Sequence, residues 1–130
     1  MTDQSPNRVP VLITGAGPTG LAMAADLARH GVACRLIDRA AEPTTLSKAT
    51  SIQARTLEVF RQLGIADDAV ARGHISHGVN INAGERRLVK FRYDELDTPY
   101  PFMLNLVQSE SEKLLGELVA RLGVTLEREV

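Results

Sequence analysis

Gly15, Gly17 and Gly20 follow the spacing G-x-G-x-x-G inside residues 9–38, VPVLITGAGPTGLAMAADLARHGVACRLID, and Asp38 closes that stretch. These residue types in this order can hold a dinucleotide. Gly15 permits a sharp turn off a strand. Gly17 has no side chain, so a pyrophosphate can approach the main chain. Gly20 lets a helix pack close to a sheet. The start of that helix presents unpaired N–H groups and a partial positive charge to phosphates. Asp38, about 20 residues beyond the glycines, is placed to accept hydrogen bonds from ribose hydroxyls. A glycine motif alone is weak evidence, because glycine-rich loops are common. Its context adds the weight. An apolar run (Val9, Val11, Leu12, Ile13) leads into it, Ala24 is small where helix must meet sheet, and Gly31 stands where a helix should end. The alternative on these residues is a βαβ unit that binds nothing.

The elements that must position these residues follow from periodicity. Strand one is predicted over about Val9–Thr14 and helix one from Pro18 to His30, with Leu21, Ala24, Ala25 and Ala28 as its packing stripe. Pro18 suits a first helical turn, where its missing N–H would have no partner anyway. Strand two covers about Ala33–Ile37. Residues 39–50 read as a loop. A second helix is expected over Ser51–Leu63, ended by Gly64, and a short helical piece over Ala66–Ala71. Val79, Ile81 and Ala83 alternate within a strand, with Leu88–Phe91 as its hairpin partner across Gly84. Phe102–Val107 reads as a further strand. Ser109 precedes Glu112 by the capping-box spacing, so the third long helix is expected to start at Ser109 and to pack Leu114, Leu115, Leu118, Val119 and Leu122 before Gly123 stops it. Val124–Leu126 then begins a strand beside strand two. The fold class is therefore α/β: a Rossmann-like βαβ dinucleotide-binding fold, a parallel sheet in order 3-2-1, with an inserted β-hairpin excursion at about 78–107. Residues 1–8 read as a loose N-terminus and 9–130 as a partial cofactor-binding domain. A dinucleotide fold of this kind needs more strands than are present. The chain is accordingly expected to be the opening portion of a larger protein, or a truncated piece of one.

Composition narrows the function classes. The chain has 130 residues, 44% of them hydrophobic, which suffices for one core. A net charge of −1 gives no electrostatic case for nucleic acid or an anionic membrane. No apolar run approaches the ~20 residues of a bilayer span, and MTDQSPNR lacks a secretory signature. Cys34 is the only cysteine and reads as a buried small hydrophobe. A cytoplasmic setting fits these features best.

The glycine motif does not separate NAD from FAD. The surrounding residues lean one way. GAGPTGL followed by ADLARHGVACRLIDR resembles the N-terminal signature of single-component FAD monooxygenases, of the para-hydroxybenzoate, phenol and polyketide hydroxylase type. LSKATSIQARTLEVFRQLGI (46–65) is similar to that family's second stretch, and LVQSESEKLLGELVARLGV (106–124) to its third. Three ordered matches are far more specific than one. The resemblance implies FAD as cofactor, with Gly15, Gly17, Pro18, Thr19 and Gly20 along the pyrophosphate and Asp38, with Arg39 beside it, at the adenosine ribose. Lys48 takes the place of a phosphate-contacting arginine, although lysine lacks the bidentate fork. Arg55, in the RTLE-like segment, and Gln108, ahead of the third helix, are implied on the cofactor as well. The residues alone also allow Lys48 as a loop charge, Arg55 as a solvated helix residue and Gln108 as a strand end.

By the same resemblance, the whole protein would be an NAD(P)H-dependent monooxygenase that hydroxylates an aromatic or polyketide substrate with O₂, through a flavin C4a-hydroperoxide. The family's later DG and GD segments do not occur in these 130 residues. This chain alone is therefore expected to hydroxylate nothing, and no catalytic residue is assigned. An NAD-binding dehydrogenase module and a non-catalytic nucleotide-binding fragment are the competing readings. His74 and His77 form an HxxH pair with too few neighbouring ligands for a metal. Asp94, Glu95 and Asp97 lie in a loop, and no nucleophile elbow is present.

Overall fold

A computed structural model of the chain describes residues 9–43 and 50–130; Lys48 and residues 1–8 lie outside the described residues. In chain order the elements are β1 (Val11–Thr14), α1 (Pro18–Arg29), β2 (Cys34–Asp38), β3 (Ser51–Ile52), α2 (Ala54–Leu63), α3 (Ala66–Arg72), β4 (His74–Ser76), β5 (Gly78–Ala83), β6 (Arg86–Arg92), β7 (Met103–Asn105), α4 (Gln108–Arg121) and β8 (Leu126–Arg128). The chain divides into two compact units, one of residues 1–45 with 112–130, the other of residues 46–111.

The first unit is a parallel sheet with helices. Its strands run β1-β2-β8, with Ile13 opposite Leu36 and Leu36 opposite Leu126. Parallel neighbours need a crossover between them, and α1 supplies it for β1 and β2. The buried side chains of α1 are Leu21, Ala24 and Ala25, three positions of one helical face. Leu36 at the centre of β2 is fully buried, as are Leu114 and Leu115 of α4 to within 2%. Helix α1 ends in a Schellman turn: the Gly31 N–H donates to Ala28 O at 3.0 Å and the Val32 N–H to Leu27 O at 2.9 Å. Gly31 adopts φ +72°, a conformation that favours glycine. The same pair of bonds closes α4, from Gly123 to Ala120 and from Val124 to Val119. A bidentate cross-strand ion pair, Arg35 to Glu127 at 2.7 Å, links β2 to β8. Cys34 is half-buried at the start of β2, more open than its sequence neighbours suggested.

The second unit holds a small antiparallel sheet, β3-β7-β4, and the separate hairpin β5-β6. Leu104 on β7 faces Ile52 and Ile75 and is fully buried, while Leu57, Phe60 and Leu63 of α2, Ala66 and Ala69 of α3, and Ile65 from the short link between them complete the core. Several predicted boundaries shift: the strand expected over Phe102–Val107 is confined to Met103–Asn105, and the strand expected from Val124 starts at Leu126. Ser51 and Ile52 form a strand, so α2 starts at Ala54. The hairpin partner extends to Arg86–Arg92, with a register irregularity at Ile81/Asn82. Its apolar residues stay open: Ile81, Val89 and Phe91 are each about half exposed. Helix α4 begins at Gln108, one residue before the capping serine expected. The N–H groups of Glu110 and Ser111 donate to Val107 O at 3.0 and 3.3 Å, so Val107 takes the cap position. Ser109 lies inside the first turn, and the hydroxyl that bonds there is Ser111's, which donates to Gln108 O at 2.8 Å.

Candidate cofactor site

The bend between β1 and α1 is built by its glycines. Gly15 has φ +101°, outside the range ordinary residues adopt readily, and its N–H donates to Ile37 O at 2.7 Å, which ties the bend to β2. Gly20 is a contact position. A Cβ there would sit 1.9 Å from Gly15 O, closer than any real contact, so only glycine lets α1 rise beside the turn. Gly17 is different. It caps the helix in an extended conformation (φ −76°, ψ −177°), and a Cβ added to it meets no atom within 4 Å. The space over Gly17 is therefore open.

The first intrahelical bond runs from the Leu21 N–H to Gly17 O at 3.0 Å. The N–H groups of Thr19 and Gly20 precede it and have no acceptor within the helix, and Pro18 has no N–H to place. A helix start of twelve residues with an unobstructed mouth can bind an anion through main-chain N–H groups. Thr19 is exposed, with its hydroxyl on the same turn.

Asp38 ends β2 beside this bend. Its Oδ2 accepts the Ala16 N–H at 2.6 Å and its Oδ1 the Ala40 N–H at 2.8 Å. The acid thus reaches across to the glycine turn. The Ala40 N–H first and the Ala16 N–H second hold its carboxyl below the usual carboxylate range, with Arg128 and Arg39 adding attraction. An ionised carboxylate with two oxygens has about four acceptor sites, so two bonds leave capacity for hydroxyl donors. The open space at Gly17, the close approach at Gly20 and an acid aimed at the turn fit a nucleotide diphosphate joined to a ribose.

The structure thus brings Gly15, Gly17, Pro18, Thr19, Gly20, Asp38 and Arg39 together in the first unit. Arg55 and Gln108 belong to the second unit. Arg55 lies on α2, 80% exposed, and pairs with Glu58 at 2.8 Å; Gln108 opens α4. Sequence reasoning missed Arg128. Parallel pairing of β8 sets it opposite Asp38, and its Nη1 donates to Ala40 O at 3.3 Å. Only the strand pairing could have signalled it. His77, half of the HxxH pair, bonds Asp94 at 3.0 Å, and Arg92 holds the same carboxylate. No group of three or more potential ligands for a metal ion occurs among the described residues. No helix among them is long and apolar enough to cross a membrane.

A βαβ unit with a glycine bend and an acid at the second strand's end defines a dinucleotide-binding fold. Residues 8–130 match the FAD binding domain family, and the chain belongs to it. It is 45% identical over 119 residues to 6-methylpretetramide 4-monooxygenase of Streptomyces rimosus, a match covering 90% of this chain and 21% of that protein. It is 39% identical over 108 residues to pentachlorophenol 4-monooxygenase of Sphingobium chlorophenolicum, covering 81% and 20%. Among solved structures, the anhydrotetracycline hydroxylase OxyS from Streptomyces rimosus superimposes with a TM-score of 0.81 at 33% identity, over 94% of this chain and 24% of that one. The chain spans about a fifth to a quarter of the length of these relatives. The family match favours FAD and sets aside the NAD-binding dehydrogenase alternative.

Proposed function

We propose that this chain is the FAD-binding portion of an NAD(P)H-dependent monooxygenase acting with O₂ on a small aromatic or polyketide substrate. Its Gly15–Gly20 bend and Asp38 would hold the ADP half of the cofactor. One observation carries the reading: the main chain at Gly17 is open to a ligand while Asp38 reaches to the same turn. The named activities of the relatives support the reaction class. Strand order β1-β2-β8, with residues 46–111 inserted before α4 returns to the first unit, is the framework this reading uses.

Each residue has a chemical task. The Thr19 and Gly20 N–H groups receive phosphate oxygens without the cost of reorganising a side chain, and the Thr19 hydroxyl adds a donor. Asp38 accepts the ribose hydroxyls, and Arg39 adds positive charge near the adenosine. Lys48, Arg55 and Gln108 are assigned to the rest of the cofactor by resemblance. Bound FAD supplies the redox chemistry, and the protein supplies binding, orientation and exclusion of water. A cytoplasmic setting is part of this reading, in keeping with the single cysteine among the 130 residues.

Calorimetry on the 130-residue chain tests the site. FAD and ADP are expected to bind and to compete, whereas FMN, which lacks the adenosine half, is not. Equal affinity for FMN and FAD, or no binding of ADP, would refute the assignment.

A further inference from the structure

The carboxyl ends of β2 and β8 meet at one pair of residues, Asp38 and Arg128, which are register partners. The short turn after Asp38 is held from several sides. Ala40 gives its N–H to Asp38 Oδ1 at 2.8 Å and takes an Nη1 hydrogen bond from Arg128 on its C=O at 3.3 Å. Asp38's own C=O accepts the Val130 N–H at 3.3 Å. Between Arg128 and Val130 stands Glu129, whose φ of +61° is the one positive φ outside glycine among the described residues. A left-handed residue without a special side chain is strained, and it persists where its surroundings hold it. Here the twist follows β8 directly and precedes the residue whose N–H bonds Asp38. The end of β8 therefore grips the Asp38 turn through one side chain and one main-chain group.

We propose that Arg128 is a positioning residue for the ribose site: by holding Ala40, it keeps the Asp38 carboxylate spanning from its own turn to the glycine bend. The proposal rests on the reading of that bend as the cofactor site. Arg128 acts through Asp38 and need not touch the cofactor. Its guanidinium also adds positive charge near the carboxylate, in company with Arg39 on the same turn. On the same two strands Arg35 is paired with Glu127. Two independent links, one geometric and one electrostatic, thus run from Arg128 to the group that would grip the sugar. A leucine or methionine at 128 would preserve the strand while removing both.

The test uses the 130-residue chain with Arg128→Met and Arg128→Lys. The probes are ADP and its dideoxy analogue, which lacks both ribose hydroxyls. Arg128→Met is expected to weaken ADP binding about fivefold, the scale of one hydrogen bond. It should weaken dideoxy-ADP by a smaller factor than ADP and move the Asp38 carboxyl titration, followed by NMR, upward toward the ordinary carboxylate value. Arg128→Lys should restore most of the titration and of the ADP affinity. The inference is overturned if Arg128→Met binds ADP as the parent does. It is equally overturned if ADP and dideoxy-ADP weaken by the same factor, which marks a general structural loss. Failure of the parent chain to bind ADP refutes the site reading instead. In that event an unmoved Asp38 titration in Arg128→Met also ends the positioning claim.

Discussion

Alanine at Gly17 and alanine at Gly20 should fail for opposite reasons, although both residues belong to one bend. At position 20 a methyl group would lie 1.9 Å from Gly15 O and 3.1 Å from Gly15 C. Those are main-chain atoms, so the neighbour cannot swing aside as a side-chain tip can. Overpacking of this kind costs about 1–3 kcal/mol, and here the upper part of that range applies. Better helix propensity returns at most ~1 kcal/mol. The net loss is about 2 kcal/mol, a drop in Tm of roughly 8 °C for a chain this size. At position 17 the same methyl meets nothing within 4 Å, and the backbone is extended, so no strain arises. Only the weaker cap of alanine counts, less than about 1 kcal/mol. The added methyl, however, occupies the space assigned to the diphosphate. ADP affinity should therefore fall at least about tenfold, or 1.4 kcal/mol. Thermal unfolding by circular dichroism and ADP titration by calorimetry read the two effects separately. Gly17→Ala that binds ADP like the parent refutes the geometry of the site; Gly20→Ala that melts with the parent refutes the packing argument.

Asp38→Asn addresses the acid through pH. The folded-state pKa of Asp38 is lowered, chiefly by the Ala40 and Ala16 N–H groups. Its stabilising contribution is therefore complete above the unfolded value of about 4 and is lost as pH falls through the folded value. The stability gap between parent and Asp38→Asn, measured by urea unfolding, should narrow on acidification below about pH 4; a gap that stays constant would count against an ionised, doubly bonded carboxylate. Glu129→Gly should raise stability by up to about 1 kcal/mol, since glycine relieves a left-handed conformation at some entropic cost. A clear loss of stability in that variant would mean that the Glu129 side chain, not the twist, matters at this corner.

What the sequence disclosed follows a physical line. Gly15, Gly31 and Gly123 were legible because positive φ is a local demand that few residues meet. Gly20 was legible because the motif pairs it with a close approach, and the 1.9 Å figure gives that approach a magnitude. Leu21, Ala24 and Ala25 of the expected stripe were legible from their period, while Ala28, the fourth member, is only half-buried. Short strands were harder. Ser51–Ile52 and His74–Ser76 have too few residues to show alternation, and they exist because Leu104 on β7 offers each a partner. Ser109 misled because the spacing to Glu112 is right for a capping box, yet the chain enters the helix at Gln108. Asp38's second use, as acceptor for Ala16, depends on where the turn brings that N–H, and no local pattern encodes it. Arg128 lies some ninety positions from Asp38 in sequence and is set beside it only by parallel pairing.

Asp38 ties the end of β2 to the glycine bend. A carboxylate that merely waited for ribose hydroxyls would lose side-chain freedom when the ligand arrived. Here that freedom is already spent: each oxygen holds one main-chain N–H, at 2.6 and 2.8 Å, and keeps a lone pair for a further donor. The same two bonds lower its pKa, so the acceptor form persists further into acid than in a free aspartate. The N–H from Ala16 lies in the glycine bend itself, so the position of the acid and the shape of the phosphate cradle are set by one interaction. Ligand binding then requires little rearrangement at either point, and preorganisation of this kind raises affinity by lowering the ordering cost. It follows that damage to the Asp38–Ala16 bond should be felt at the phosphates as well as at the sugar, and that Gly17 and Asp38 should behave as a coupled pair in a double-mutant cycle of ADP binding.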